Sequence, residues 1–292
     1  MLRKVAIFSK DTNPRTRDGV QNLVNECCKR GILIQLYQRP GGLSTRYNGE
    51  INEHFSELSD LQDLPDMVLS VGGDGTFLET VLKVKDLGIP VAGVNTGRMG
   101  FLANIPGEEI GNSIDLLCKD EYEIIERSLL HITNPAGLFN HESATALNEI
   151  TIQKSNVSMI TINVFVDEVY LNTYWADGLI ISTATGSTAY NLSVGGPILT
   201  PDDESIIISP ISPHNLTIRP IVISGNSKLR MVMEARTDEY LVTCDFRYKK
   251  LPLSEEIQVE KTGSKLKTVM LKDRDFYSTL RNRLMWGVDK RN

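Results

Sequence analysis

Hydrophobic positions along the chain follow two patterns, and the change falls near residue 125. In the first part, short apolar runs alternate with helical spacing. Residues 4–9 read as a short buried strand, followed by a turn around Asn13-Pro14. Val20, Leu23, Val24, Cys27 and Cys28 then recur at i, i+3, i+4, i+7 and i+8, one helical face, with Gly31 placed to cap it. Residues 32–37 predict a second strand and 39–50 a turn-rich loop. The pattern repeats with a strand at 66–71, a turn at 72–75, a helix at 76–87 stopped by Gly88, and a strand at 89–94. Strand–helix–strand alternation predicts a Rossmann-like α/β domain with a parallel sheet over residues 1–125.

Beyond that point the runs are short and rich in β-branched residues, with little helical periodicity. They fall at 146–153, 158–166, 178–182, 205–208, 220–224, 228–234, 240–246, 256–260 and 268–271. A mainly antiparallel β domain over 126–272 is the expectation. Residues 276–286 read as a helix, so the segment 273–292 is expected to pack back on the first domain. No internal repeat or low-complexity tract interrupts the chain.

Composition narrows the picture. A length of 292 residues suits about two domains. Apolar residues at 41% and charged residues at 23% exclude a disordered chain or a coiled coil. A net charge of −6 argues against nucleic acid as the main partner, since phosphate neutralisation needs a basic surface. The four cysteines show no CxxC spacing, and Cys27 and Cys28 are adjacent. Reduced thiols in a cytoplasmic protein are therefore expected, without a disulfide framework or a zinc site. The apolar run Val5-Ala6-Ile7-Phe8 is too short for a signal peptide, and no run approaches the roughly 18 residues of a membrane span. His54, His131, His141 and His214 lack metal-ligand spacing, so no protein-bound metal is expected. Arg98 and Arg219 read as solvated, and the N-x-S/T triplets at Asn156, Asn191 and Asn215 as chance.

Three stretches carry candidate chemistry. Gly72-Gly73-Asp74-Gly75-Thr76 lies between a strand and a helix. Its glycines leave the backbone open to a ligand, and the helix N-terminus adds donors and partial positive charge, which together suit a phosphate. Beside phosphates, the Asp74 carboxylate serves as a base, a hydroxyl anchor or a magnesium ligand, if it is not simply a helix cap. Asn148-Glu149 places an amide and a carboxylate inside an apolar run, where they need partners such as ribose hydroxyls or a purine edge. On residue type alone, a strand edge with two solvated polar residues fits as well. In residues 174–193, a strand leads into a loop of small hydroxyl residues and then a helix beginning near Ser187 or Thr188. Small residues admit a flat heterocycle, Tyr190 offers a stacking face, and Asp177 and Ser193 offer hydrogen bonds. No P-loop and no G-x-G-x-x-G fingerprint is present.

Taken together, these stretches resemble the NAD kinase family within the wider group of G-G-D-G-[TS] kinases. The family's asparagine–glutamate pair is matched by Asn148-Glu149, and its D-G-x-[IV]-x-S-T-x-T-G-S-T-A-Y block by residues 177–190. Its G-x-x-G-F-L segment is Gly97-Arg98-Met99-Gly100-Phe101-Leu102, and its P-H-x-L-x-x-R-P turn is residues 213–220. The resemblance implies transfer of the γ-phosphoryl group of ATP to the 2′-hydroxyl of the adenosine ribose of NAD, giving NADP. Asp74 would be the general base, and Gly72, Gly73 and Gly75 would cradle phosphates. Asn148 and Glu149 would hold the adenosine end of NAD, Glu149 through ribose hydroxyls. Thr188, Ala189, Tyr190 and Ser193 would line the heterocycle pocket, Asp177 would bond a carboxamide or amine, and Phe101 is a further cofactor-binding candidate. Magnesium or another divalent cation would arrive with ATP. A homodimer or homotetramer without a membrane partner is implied. This chain departs from the family at Arg98-Met99, where His-Leu is common, and at Glu79, where a basic residue is common. Two other readings share the glycine turn: a lipid kinase, which would need an apolar docking surface, and a non-catalytic NAD-binding regulator, which would not need Asp74.

Overall fold

The structure is a computed structural model that describes residues 2–10, 13–39, 47–61, 63–97, 100–139 and 143–287. The chain divides into two units, one formed by Met1–Ile125 together with Leu266–Asn292, the other by Glu126–Lys265.

The first unit opens with β1 (Lys4–Phe8), α1 (Pro14–Lys29), β2 (Leu33–Tyr37) and β3 (Glu53–Phe55). It continues with β4 (Met67–Gly72), α2 (Asp74–Val84), β5 (Val91–Asn95), β6 (Ile105–Pro106), α3 (Ile110–Cys118) and β7 (Tyr122–Arg127). The second unit holds β8 (Leu130–Asn134), β9 (Thr145–Ala146), β10 (Glu149–Lys154), β11 (Ile160–Val166), β12 (Val169–Ala176) and β13 (Gly178–Ser182). The single turn α4 (Tyr190–Ser193) precedes β14 (Ile206–Ile211), β15 (Ile221–Ile223), β16 (Leu229–Glu234), β17 (Glu239–Cys244), β18 (Arg247–Pro252) and β19 (Ile257–Lys261). The chain returns to the first unit with β20 (Leu266–Leu271) and α5 (Phe276–Leu284).

The first sheet runs β3-β2-β1-β4-β5-β20-β7, with β6 beside β5. The pairings of β1 with β2 and β4, and of β4 with β5, are parallel. β1 therefore sends its chain to one side and receives β4 on the other, a topological switch point between β1 and β4. Strand alternation sorts the two faces. Met67, Leu69 and Val71 of β4 join the core that holds Val20, Leu23 and Val24 of α1 and Ile114 and Leu117 of α3. Ser70 points the other way and accepts a 2.8 Å hydrogen bond from the Thr80 hydroxyl of α2. Asn13 caps α1 by accepting from the Thr16 N–H at 3.0 Å, with Pro14 in the first turn.

The second unit contains two six-stranded sheets, β15-β14-β13-β10-β17-β18 and β12-β11-β16-β19-β8-β9. Their pairings are antiparallel, as the β10–β13 and β11–β12 registers illustrate. Ile150, Leu179 and Val242 from one sheet share a core with Ile162, Met231 and Val259 from the other, so the sheets pack as a sandwich.

Four expectations change. The strand expected at 268–271 pairs with β5 in the first sheet, and Val269 and Leu271 enter the first unit's core. The boundary after the β-rich part thus falls at Lys265, not at 272. The run at 146–153 is two strands: β9 belongs to one sheet, β10 to the other, and the chain bends at Leu147-Asn148. The helix expected at 76–87 spans Asp74–Val84, because Gly73 serves as its cap and an acidic residue suits the first turn. The helix expected from 187 or 188 is a 3-10 turn at Thr185–Thr188 followed by α4.

Candidate active site

In the first unit, β4 ends at Gly72 with φ +156°. A Cβ there would lie 2.8 Å from the Thr76 Cβ, so only glycine permits this tight entry into α2. Gly73 and Gly75 face open space, with nothing within 4 Å of where a Cβ would stand. Asp74 opens the helix, and its side chain turns to residues 101–103. Oδ2 accepts from the Phe101 N–H at 2.9 Å, while Oδ1 accepts from Leu102 at 3.1 Å and Ala103 at 2.9 Å. The chain passes so closely that a Cβ on Gly100 would overlap the carboxylate. A carboxylate oxygen has two lone pairs. Among the described residues Oδ1 uses both and Oδ2 uses one, which leaves one acceptor site aimed by the other three contacts. Phe101 thus acts here through its backbone, while Arg98 and Met99 lie outside the described residues. Burial lowers the pKa of Arg283 of α5, the Asp74 charge opposing that shift, and its buried Nε has no hydrogen-bond partner among the described residues.

A pocket of about 550 Å³ lies at the carboxyl ends of β1 and β4, at the switch point. Lys10, Asn13, Arg15, Thr16, the Gly72-Gly73 turn and Thr96 line it. The N-termini of α1 and α2 both open there, each adding unpaired N–H groups and partial positive charge. Lys10 forms an ion pair with Glu79. Sequence reasoning missed Lys10 and Arg15; their position just after a buried strand and before a capped helix was the available signal.

In the second unit, Glu149 is 9% exposed. Its Oε2 has no hydrogen-bond partner among the described residues, and the Tyr190 backbone N–H supports the carboxyl group. Burial, and then the Asp245 charge, push its pKa up to about 8. Asn148 is half-buried beside it at the bend. Thr183 fixes that bend, its hydroxyl donating to the Leu147 carbonyl at 2.6 Å and its N–H to the Asn148 carbonyl at 2.9 Å. Thr188 and Ala189 are half-buried, and Tyr190 and Ser193 are exposed. The loop stands on Asn191, which is fully buried. Its amide nitrogen donates to the Ser187 and Pro197 carbonyls at 3.2 and 3.1 Å, and its oxygen accepts from the Ser209 hydroxyl at 2.6 Å. Asn191 is thus a support of the loop.

The structure therefore brings together Asn148, Glu149 and Tyr190, but not Asp177. Glu149 pairs with Ser182 at one end of β13, and Asp177 precedes the other end. Five residues at roughly 3.3 Å each separate them by about 16 Å. There, Asp177 is bound to Lys154 at 2.5 Å. Arg219 donates to the Leu216 and Ile218 carbonyls at 2.6 and 2.8 Å, so its guanidinium braces its own turn. His141 lies outside the described residues. Among the described residues, no group of three or more His, Cys, Asp or Glu side chains could hold a metal ion.

Residues 16–122 match the ATP-NAD kinase N-terminal domain, and residues 147–271 match the ATP-NAD kinase C-terminal domain. The NAD kinase of Flavobacterium psychrophilum is 43% identical over 99% of this chain and 100% of its own length. The chain belongs to the NAD kinase family. A second family member, the NAD kinase of Cytophaga hutchinsonii, is 42% identical over 98% of this chain and 100% of its own. Solved NAD kinases share the fold. Yeast NADH kinase complexed with NADH superimposes with a TM-score of 0.82 at 22% identity, covering 99% of this chain and 89% of that one. An NAD kinase from Archaeoglobus fulgidus in complex with ATP gives 0.74 at 24% identity, covering 97% and 98%. The α/β class with a largely parallel sheet and the antiparallel β class of the two units are those of the family.

Proposed function

We propose that this chain transfers the γ-phosphoryl group of ATP to the 2′-hydroxyl of the adenosine ribose of NAD, and that Asp74 is its general base. The observation that carries the role of Asp74 is the carboxylate held by three successive N–H groups, with one lone pair of Oδ2 unused among the described residues. That lone pair accepts the hydroxyl proton. In a loose phosphoryl-transfer transition state, placement of the base outweighs its strength. The N–H groups of the Gly73 and Gly75 turn and the cations Lys10 and Arg15 grip the donor's phosphates in the switch-point pocket. Magnesium or another divalent cation enters as the ATP complex. Asn148 and Glu149 hold the adenosine end of NAD, with Thr188, Ala189, Tyr190 and Ser193 around the heterocycle.

The separation of Asp177 from Glu149 supports a homodimer or homotetramer, in which a second copy supplies Asp177; light scattering in solution tests this. The cysteines are unpaired, which suits the reducing cytoplasm. No helix among the described residues is long and apolar enough to cross a membrane.

The test is NADP formation from NAD, ATP and magnesium, read through an NADP-specific dehydrogenase, with Asp74→Asn alongside. NADP from the wild type and none from the variant is the expected result. NAD binding without turnover would favour the regulator, and neither binding nor turnover would send the search to lipid alcohols.

A further inference from the structure

The bend at Leu147-Asn148 leaves the sheets, so its N–H groups have no strand partner. Backbone donors in a packed region need acceptors, and one side chain supplies them. The Asp245 carboxylate accepts from the N–H groups of Leu147 and Asn148 at 2.8 Å each and of Glu149 at 3.2 Å. Asp245 occupies the two-residue turn between β17 and β18, where Cys244 pairs with Arg247. Its φ of +53° is one that aspartate tolerates better than most residues. Its own N–H donates to the Glu149 carbonyl at 3.0 Å, which closes the clasp.

We propose that Asp245 is a positioning residue for the NAD acceptor, holding the bend that presents Asn148 and Glu149 to it. The inference rests on the reading that those two residues hold NAD. The clasp has an electrostatic side. Burial raises Asp245 to about 6, against its three backbone donors and Arg247, so it is ionised at neutral pH. Its charge then helps to keep the proton on Glu149. Among the described residues, the charged groups facing this pair are each other and Arg247, and Tyr190 contributes only its backbone N–H. Arg247 is itself held by the Ser143 and Thr145 carbonyls.

The experiment is NAD affinity by calorimetry from pH 6 to 9, with kcat and both KM values, for wild type, Asp245→Asn and Asp245→Glu. In the wild type, affinity is expected to change with a midpoint near 8, where Glu149 titrates. Asp245→Asn removes the charge and one acceptor. About tenfold weaker NAD binding is expected, with ATP KM and kcat within about twofold, and the midpoint falling by about one unit. Asp245→Glu keeps the charge but not the reach, so affinity falls while the midpoint stays. Unchanged affinity in both variants, an unmoved midpoint in Asp245→Asn, or a parallel loss in kcat and both KM values would overturn the proposal. Should Asp245→Asn not fold, Asp245→Glu still decides, since it keeps the charge and loses the reach to residues 147–149, and undiminished NAD affinity in it refutes the positioning role. A wild type that makes NADP while these variants bind NAD normally refutes this inference alone; a wild type that binds no NAD refutes the acceptor reading as well.

Discussion

Each unit contains an aspartate that clasps three consecutive backbone N–H groups, Asp74 on residues 101–103 and Asp245 on residues 147–149. The chemistry of the clasp is the same, but what it aims differs. At the head of α2 the clasp immobilises the aspartate itself, half-buried at the mouth of the glycine turn with one lone pair left for the substrate. In the β17–β18 turn the aspartate faces inward, and the clasp immobilises its neighbours, Asn148 and Glu149. A carboxylate can thus be the tool or the vice: both clasps use three acceptor sites, and the surroundings tell them apart, the open glycine turn beside Asp74 and the Asn148-Glu149 bend beside Asp245.

The largest effect expected from breaking this contrast is on turnover. Asp74→Asn keeps the shape but not the base, and kcat should fall by about 10²–10⁴-fold with NAD still bound. Calorimetry alongside the coupled assay checks both halves; near-normal turnover would reduce Asp74 to a helix-start residue. Gly100→Ala comes next. The added methyl must push the Asp74 carboxylate off residues 101–103. A displacement of order 1 Å is expected to lower kcat about 10²-fold while the far-UV spectrum stays that of the wild type. Lys10→Ala then separates donor from acceptor. Losing one charge-assisted phosphate contact should raise the ATP KM about tenfold and leave NAD affinity unchanged. That is the inverse of the pattern expected for Asp245→Asn.

The two clasps also differ in how far the sequence announces them. Gly72-Gly73-Asp74-Gly75-Thr76 is contiguous, so its chemistry is visible in five letters. Asp245 lies 96–98 residues from its three partners, and no local pattern joins them. The same distinction holds for the fold. The helices and strands of the first 100 residues follow from periodicity, because each buries one face of its own sequence. α3 escaped notice, although Ile110, Ile114 and Leu117 recur on one face, because the helix is only nine residues long and lacks a capping side chain. β20 was legible as a strand but not as a member of the first sheet, since a β-branched run shows that it will pair and not with what. The bend at Leu147-Asn148 was invisible because Ala146, Leu147 and Ile150 are all buried, and continuous burial is what a single central strand would show.

The smallest effect is on stability. Glu149 ordinarily titrates near 4.5 and here is raised to about 8. Between those values the folded chain keeps a proton that the unfolded chain releases, so this group makes stability fall as pH rises through that window. The full shift sets a ceiling that local relaxation and water entry reduce, to about 1–3 kcal/mol. Asp245, raised from 3.8 to about 6, acts in the same direction but completes most of its change by pH 6. Comparing urea unfolding at pH 6 and pH 8.5 therefore isolates Glu149. Glu149→Gln carries no titrating group, and its stability should lose less over that interval, although its hold on NAD is weakened. Were the variant's slope equal to the wild type's, the buried proton would reside on another group. The contrast between the clasps would then rest on geometry alone.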